Sequence, residues 1–149
     1  MKKYGIRFLA IATCLLTTLT ACEIETHDNG KLDGFWHLEQ IDTIATGGVS
    51  DVGQQRLFWS VQSKLVELSD HSVLPNPKYI FSFRHSDGAL SLFDARISDR
   101  REGDVPLTDI NIVRPFGVNM LEEDFEVEAL DGGKMILKSQ TLRLRLKKF

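Results

Sequence analysis

The chain is expected to fold as an all-β protein, an up-and-down antiparallel β-barrel of about eight strands. Three observations predict it. Short segments of period-two alternation recur from residue 35 to the C-terminus, tight turns bearing Gly and Asp separate them, and almost no stretch of the mature chain carries a helical period. Sequential hairpins of this kind point to a meander closed, or nearly closed, into a barrel; a sandwich of similar strand count is the alternative. Closure also removes the exposed edges that an open sheet would leave.

The elements follow in order. Phe35 to Thr43 alternates in part, with Trp36, Leu38 and Gln40 on one face and Phe35, His37, Glu39 and Ile41 on the other. A Gly-rich loop, IATGGVSDVGQQ, leads to a hairpin of Arg56 to Gln62 and Lys64 to Leu68 about Gln62-Ser63. HSVLPNP reads as a turn, because its two prolines exclude a central strand. Lys78 to His85 places Tyr79, Phe81 and Phe83 on one face, and Ser86-Asp87-Gly88 turns it into Ala89 to Ala95. The least regular segment, residues 96 to 119, reads as a long connection with one helical turn near Leu107 to Ile112. Three strands close the chain: Asp124 to Leu130, Lys134 to Lys138 after Asp131-Gly132-Gly133, and Thr141 to Lys147. The last has Leu142, Leu144 and Leu146 inward and Arg143, Arg145 and Lys147 outward, and it is placed to pair with the first.

Residues 1 to 21 read as a leader outside the fold. Lys2, Lys3 and Arg7 form a positive region, and the apolar region of 12 residues from Phe8 to Leu19 is too short to cross a hydrocarbon layer of ~30 Å as a helix. Leu19-Thr20-Ala21-Cys22 resembles the lipobox of bacterial lipoproteins, in which the Cys sulfur receives a diacylglyceryl group and becomes the new N-terminus. The expected organisation is a lipoprotein signal peptide over 1–21, a polar tether over 22–31 and the barrel over 32–149. The expected location is the bacterial cell envelope, lipid-anchored at the outer membrane, since Glu23 stands where an Asp would retain such a protein at the inner membrane. Cys14 falls in the leader, so Cys22 is the one cysteine left, and no disulfide or cysteine metal site is expected. Without the leader, 15 basic residues face 21 acidic ones, a net charge of −6 that argues against a nucleic-acid partner.

With the strands in place, Gly34-Phe35-Trp36 resembles the short signature of the lipocalin and calycin superfamily. The stretches FWSVQSKLVEL, YIFSFRH, RPFGVN, FEVEAL and KMILKSQTLRLRLKK are similar to small lipocalin-like lipoproteins of Gram-negative gut anaerobes, a group of uncharacterised function. The resemblance implies that Trp36 seals the closed end of the barrel, with Gly34 letting the chain turn in beneath it. It also implies that a basic residue of the last strand, Arg143 or Arg145, packs across the Trp.

Catalysis finds little support. His27, His37, His71 and His85 show no metal-ligand spacing, and the nucleophile-elbow, phosphate-loop and dinucleotide motifs are absent, so no enzyme activity, cofactor or metal is expected. An eight-stranded barrel is just wide enough to be filled by side chains or to hold one small ligand. The leading expectation is non-catalytic binding of a small apolar or amphipathic ligand in an apolar cup near Trp59, Tyr79 and Phe83, with Gln62 orienting a head group. The alternative is an accessory lipoprotein with a filled barrel that docks an envelope protein through residues 96–119, using Arg100, Arg101, Arg114 and Phe116. Phe116 is left with two readings, an anchor for a partner or a cap tucked into the barrel end.

Overall fold

The computed structural model describes residues 29–149. The expected signal peptide and the expected lipidation site, Cys22, lie outside the described residues. Ten strands are present among the latter: β1 (Gly34–Thr43), β2 (Val49–Asp51), β3 (Leu57–Gln62), β4 (Leu65–Asp70), β5 (Lys78–Ser86), β6 (Ala89–Ile97), β7 (Val105–Pro106), β8 (Glu123–Leu130), β9 (Lys134–Lys138) and β10 (Leu142–Lys148). Three 3-10 turns, Gly30–Leu32, Ile110–Ile112 and Arg114–Phe116, are the helical elements of this region.

Eight strands close the expected barrel. Neighbours run β1-β3-β4-β5-β6-β8-β9-β10, and β10 pairs back to β1 from Trp36↔Lys148 to Thr43↔Leu142, all antiparallel. A sandwich would leave that last seam open. β2 and β7 are short additions on β1 and β6, formed where the sequence predicts loop. The first hairpin turns at Ser63-Lys64, one residue later than expected, with Ser63 at a φ of 56°.

Alternation in the strands is interrupted by single extra residues, and this decides which side chains face the core. In β1, Leu38 pairs with Leu146 but Gln40 pairs with Arg145, so the bulge at Glu39 turns Ile41 inward and Gln40 outward. In β6, Asp94 at a φ of 53° is the extra residue, and the buried series passes from Leu90 and Leu92 to Ala95. β8 slips between Val127 and Ala129. Each bulge bends its strand, as a closing sheet requires.

The barrel has two unlike ends. One gathers the tight turns at 63–64, 87–88 and 131–133, the N-terminal 3-10 turn and the C-terminus. The other carries the long connections at 44–56, 71–77 and 98–122. Between them, Trp36 and Trp59 sit side by side in register, and with Phe81, Phe125, Leu68, Leu92, Met135 and Leu137 they are essentially solvent-free. Removing one such side chain from water is worth ~1.5–3 kcal/mol, so packing alone can hold a domain without cross-links. On the outer wall, Phe35 and Phe58 stack at 4.4 Å, and the exposed Phe149 meets both edge-on.

Candidate functional site

At the tight-turn end, the chain enters through Gly30–Leu32 and seals the barrel. Leu32 is fully buried, and its carbonyl accepts the Trp36 indole N–H at 2.9 Å. The ammonium of Lys148 lies 4.7 Å from the Trp36 ring centroid and donates to the carbonyls of Asp33 (2.8 Å) and Lys31 (3.2 Å). Gly34 makes this possible: its φ is +144°, and a Cβ there would stand 2.6 Å from Lys148 Cε. Asn29 ties the turn down by donating to Asp33 and to the carbonyl of Ser63. Residues 29–31, expected in the tether, therefore belong to the plug.

This corrects the assignment of the basic residue that crosses the Trp. Arg143 and Arg145 point outward. Arg143 binds Glu128 through two hydrogen bonds of 2.6 and 2.8 Å and holds that carboxyl below its usual range, while Arg145 reaches Asp42 at 3.4 Å. Lys148 has the inward parity of Leu142, Leu144 and Leu146, and it is the residue that closes the seal.

At the loop end, the expected helical turn exists as Ile110–Ile112 and continues into Arg114–Phe116. Asp109 caps the first by accepting the Asn111 backbone N–H at 3.0 Å. The segment folds into the barrel mouth: Leu107, Val113, Phe116 and Val118 are buried, and the Phe116 carbonyl accepts the Trp59 indole N–H at 3.1 Å. Gly117, at a φ of 82°, lies so close to Leu144 that a Cβ would overlap its side chain. Glu123 fastens the lid from below. Though it lies in the acidic run Glu122-Glu123-Asp124, it is buried, and its Oε2 accepts the backbone N–H groups of Asn119 and Met120. Burial pushes its carboxyl above the ordinary value against the pull of those hydrogen bonds.

The cup expected from Trp59, Tyr79, Phe83 and Gln62 does not form as one site. Trp59 and Tyr79 are neighbours across Leu68. Phe83 is four residues nearer the tight-turn end, where its N–H donates to the Lys64 carbonyl, and it is buried. Gln62 follows the inward series Leu57, Trp59 and Val61 with the opposite parity, so it lies outside. There it lines a shallow depression of about 200 Å³ with Ser60, Glu67 and Ile80. Phe116 is 2% exposed and serves as a cap, not as an anchor for a partner.

A different grouping appears on the loop end. Tyr79 joins Arg100 and Arg101 along an open cleft of about 810 Å³, floored by Ile97 and Ile112 and flanked by Pro75 and Lys78. The bulge at Asp94 is what turns Ile97 toward this floor, and the Tyr79 ring rests edge-on against Phe116 at 6.0 Å. Burial, with Asp70 nearby, raises the Tyr79 phenol, which stays a neutral hydrogen-bond donor at physiological pH. Lys78 is paired with Glu67 at 2.9 Å. Arg100 and Arg101 are exposed and make no ion pair among the described residues. Arg114 is exposed on the same end but outside this cleft. Two residue sets that the sequence assigned to rival functions thus meet in part. Among the described residues, no group of three His, Cys, Asp or Glu side chains is placed to hold a metal ion.

A closed eight-stranded meander sealed by a Gly-x-Trp entry is a lipocalin-type barrel. The chain belongs to the lipocalin-like domain family, whose model matches residues 16–149. Its structure is similar to that of a lipocalin-like protein from Bacteroides uniformis ATCC 8492, with a TM-score of 0.61 and 19% identity over 80% of this chain and 100% of that one. A protein from Bacteroides eggerthii DSM 20697 follows at a TM-score of 0.58 and 17% identity, over 78% and 98% of the two chains. A protein from Burkholderia xenovorans matches at 0.51 and 17%, over 78% and 82%. Identities this low carry the fold alone. No curated protein matches.

Proposed function

We propose that this protein is a non-catalytic, lipid-anchored envelope protein that binds a small amphipathic ligand at the barrel mouth, outside the barrel. The lipocalin-like fold is consistent with small-ligand binding, and the signal-and-lipobox pattern ending at Cys22 motivates the anchor at the outer membrane. One observation carries the location of the site. The interior is occupied by Trp36, Trp59, Phe81 and Phe125 and capped by Phe116, whereas the cleft at Tyr79 is open and apolar-floored, within the size range of small-molecule sites.

A filled barrel also suits the second reading, a docking accessory protein. The exposed side chains of Val73 and Leu74, 50% and 87% accessible, and the exposed Arg114 at the loop end favour it. Purified residues 23–149, screened by thermal shift against fatty acids, bile acids and haem-like compounds, discriminate the two. A ligand at 100 times its Kd stabilises by ~2.7 kcal/mol. No shift with any compound, together with capture of one envelope protein that Arg114→Glu abolishes, would replace ligand binding with docking. Loss of membrane partitioning in Cys22→Ser tests the anchor, and retention on the membrane would contradict it.

A further inference from the structure

We infer that the mouth cleft selects amphipaths with an acidic head group, and that Arg100 and Arg101 are the selecting residues. The inference rests on the amphipath-binding reading above and names the ligand chemistry of that same site. The cleft has a polar and an apolar part. Ile97, Ile112 and the face of Tyr79 supply an apolar floor for a hydrocarbon body. The two guanidinium groups stand at its rim, on the turn that follows β6.

Which groups at the rim are already engaged decides what a head group can meet. Lys78 is already paired with Glu67. Asp99 lines the cleft as well, and its Oδ1 accepts the backbone N–H groups of Arg101 and Glu102, which fix the turn itself. Asp104 closes the same turn by accepting the Asp99 N–H at 3.2 Å. Asp99 and Asp104 are thus turned back on the backbone of this loop and Glu102 is exposed, while both guanidiniums are without an ionic partner among the described residues. An Arg fork matches a carboxylate or sulfonate in two parallel hydrogen bonds, and the Tyr79 hydroxyl can donate a third. A cationic or uncharged head group would leave those donors unmatched.

The test uses residues 23–149, since the barrel, its core and the plug that seals it all lie within 29–149. Decanoate, decanol and decyltrimethylammonium share one tail and differ in head charge. Titrated below their micellar concentrations, with binding read by calorimetry, decanoate should bind at least ten-fold more tightly than decanol, and the cation more weakly still. In the double variant Arg100→Gln, Arg101→Gln the gap between decanoate and decanol should collapse through weaker decanoate binding. Both variants are at exposed positions, so unchanged thermal stability checks that the fold is intact. Equal affinities for decanoate and decanol, or a gap that survives the double variant, would overturn the selectivity while leaving amphipath binding standing. Binding of none of the three, nor of any compound in the thermal-shift screen, would remove the amphipath reading itself.

Discussion

Lys148 and Gly34 explain each other. The lysine stem needs the space that a Cβ at Gly34 would occupy, and the ammonium needs the ring and carbonyls that the Gly30–Leu32 turn presents. Gly34→Ala adds overlap to a backbone conformation unsuited to a side chain, so it should cost about 1–3 kcal/mol. Lys148→Ala removes a cation–π contact and two charge-assisted hydrogen bonds, again about 1–3 kcal/mol by chemical denaturation. Arg143→Ala, whose Glu128 partner is met in solvent, should leave the denaturation midpoint almost unchanged. The reverse order, with Arg143 costing more than Lys148, would contradict this account of the seal. The residue was legible in principle. Leu142, Leu144 and Leu146 face inward, and Lys148 continues that series, whereas Arg143 and Arg145 had to break it to reach Trp36. Gln62 breaks the series Leu57, Trp59, Val61 in the same way.

Elements owe their placement to features that alternation alone cannot reveal. All eight barrel strands were readable from period-two patterns, because a half-buried strand must alternate. The bulges at Glu39 and Asp94 were not, since one extra residue leaves composition untouched while reversing every side chain after it. That reversal brings Ile41 to the core and Ile97 to the cleft. The lid was half legible: residues 96–119 read as a long connection with a helical turn near Leu107 to Ile112, but whether Phe116 pointed in or out depended on the Trp59 indole waiting for a carbonyl. Glu123 was concealed by its charge, as acidic runs are usually solvated. Because burial raises its carboxyl above the ordinary 4.5, its contribution to stability is fullest below that value and is lost as pH rises through the raised one. Glu123→Gln keeps an acceptor for the Asn119 and Met120 N–H groups and removes the titration. The stability of the variant relative to the parent should therefore increase from pH 4 toward pH 8 in paired urea melts. A difference flat with pH, or one that decreases, would show that the carboxylate is not paying a burial cost there.

The whole molecule is a barrel closed at both ends by its own chain, Leu32 with Trp36 at one and Phe116 at the other. Phe81→Ala, at the centre of that interior, should cost about 3–5 kcal/mol, because the surrounding side chains cannot collapse into the space. A cost below about 1 kcal/mol would indicate an interior with room to spare. On the proposed reading, a filled barrel leaves the mouth as the place to bind. The most direct test of that claim is where a bound amphipath sits, read from backbone and side-chain NMR shifts during a decanoate titration. The account predicts progressive shifts at Tyr79, Ile97, Arg100 and Arg101, with the Trp36 indole N–H signal unmoved. A Trp36 indole that shifts with saturation while the Tyr79 cleft stays silent would put the ligand inside the barrel and contradict it.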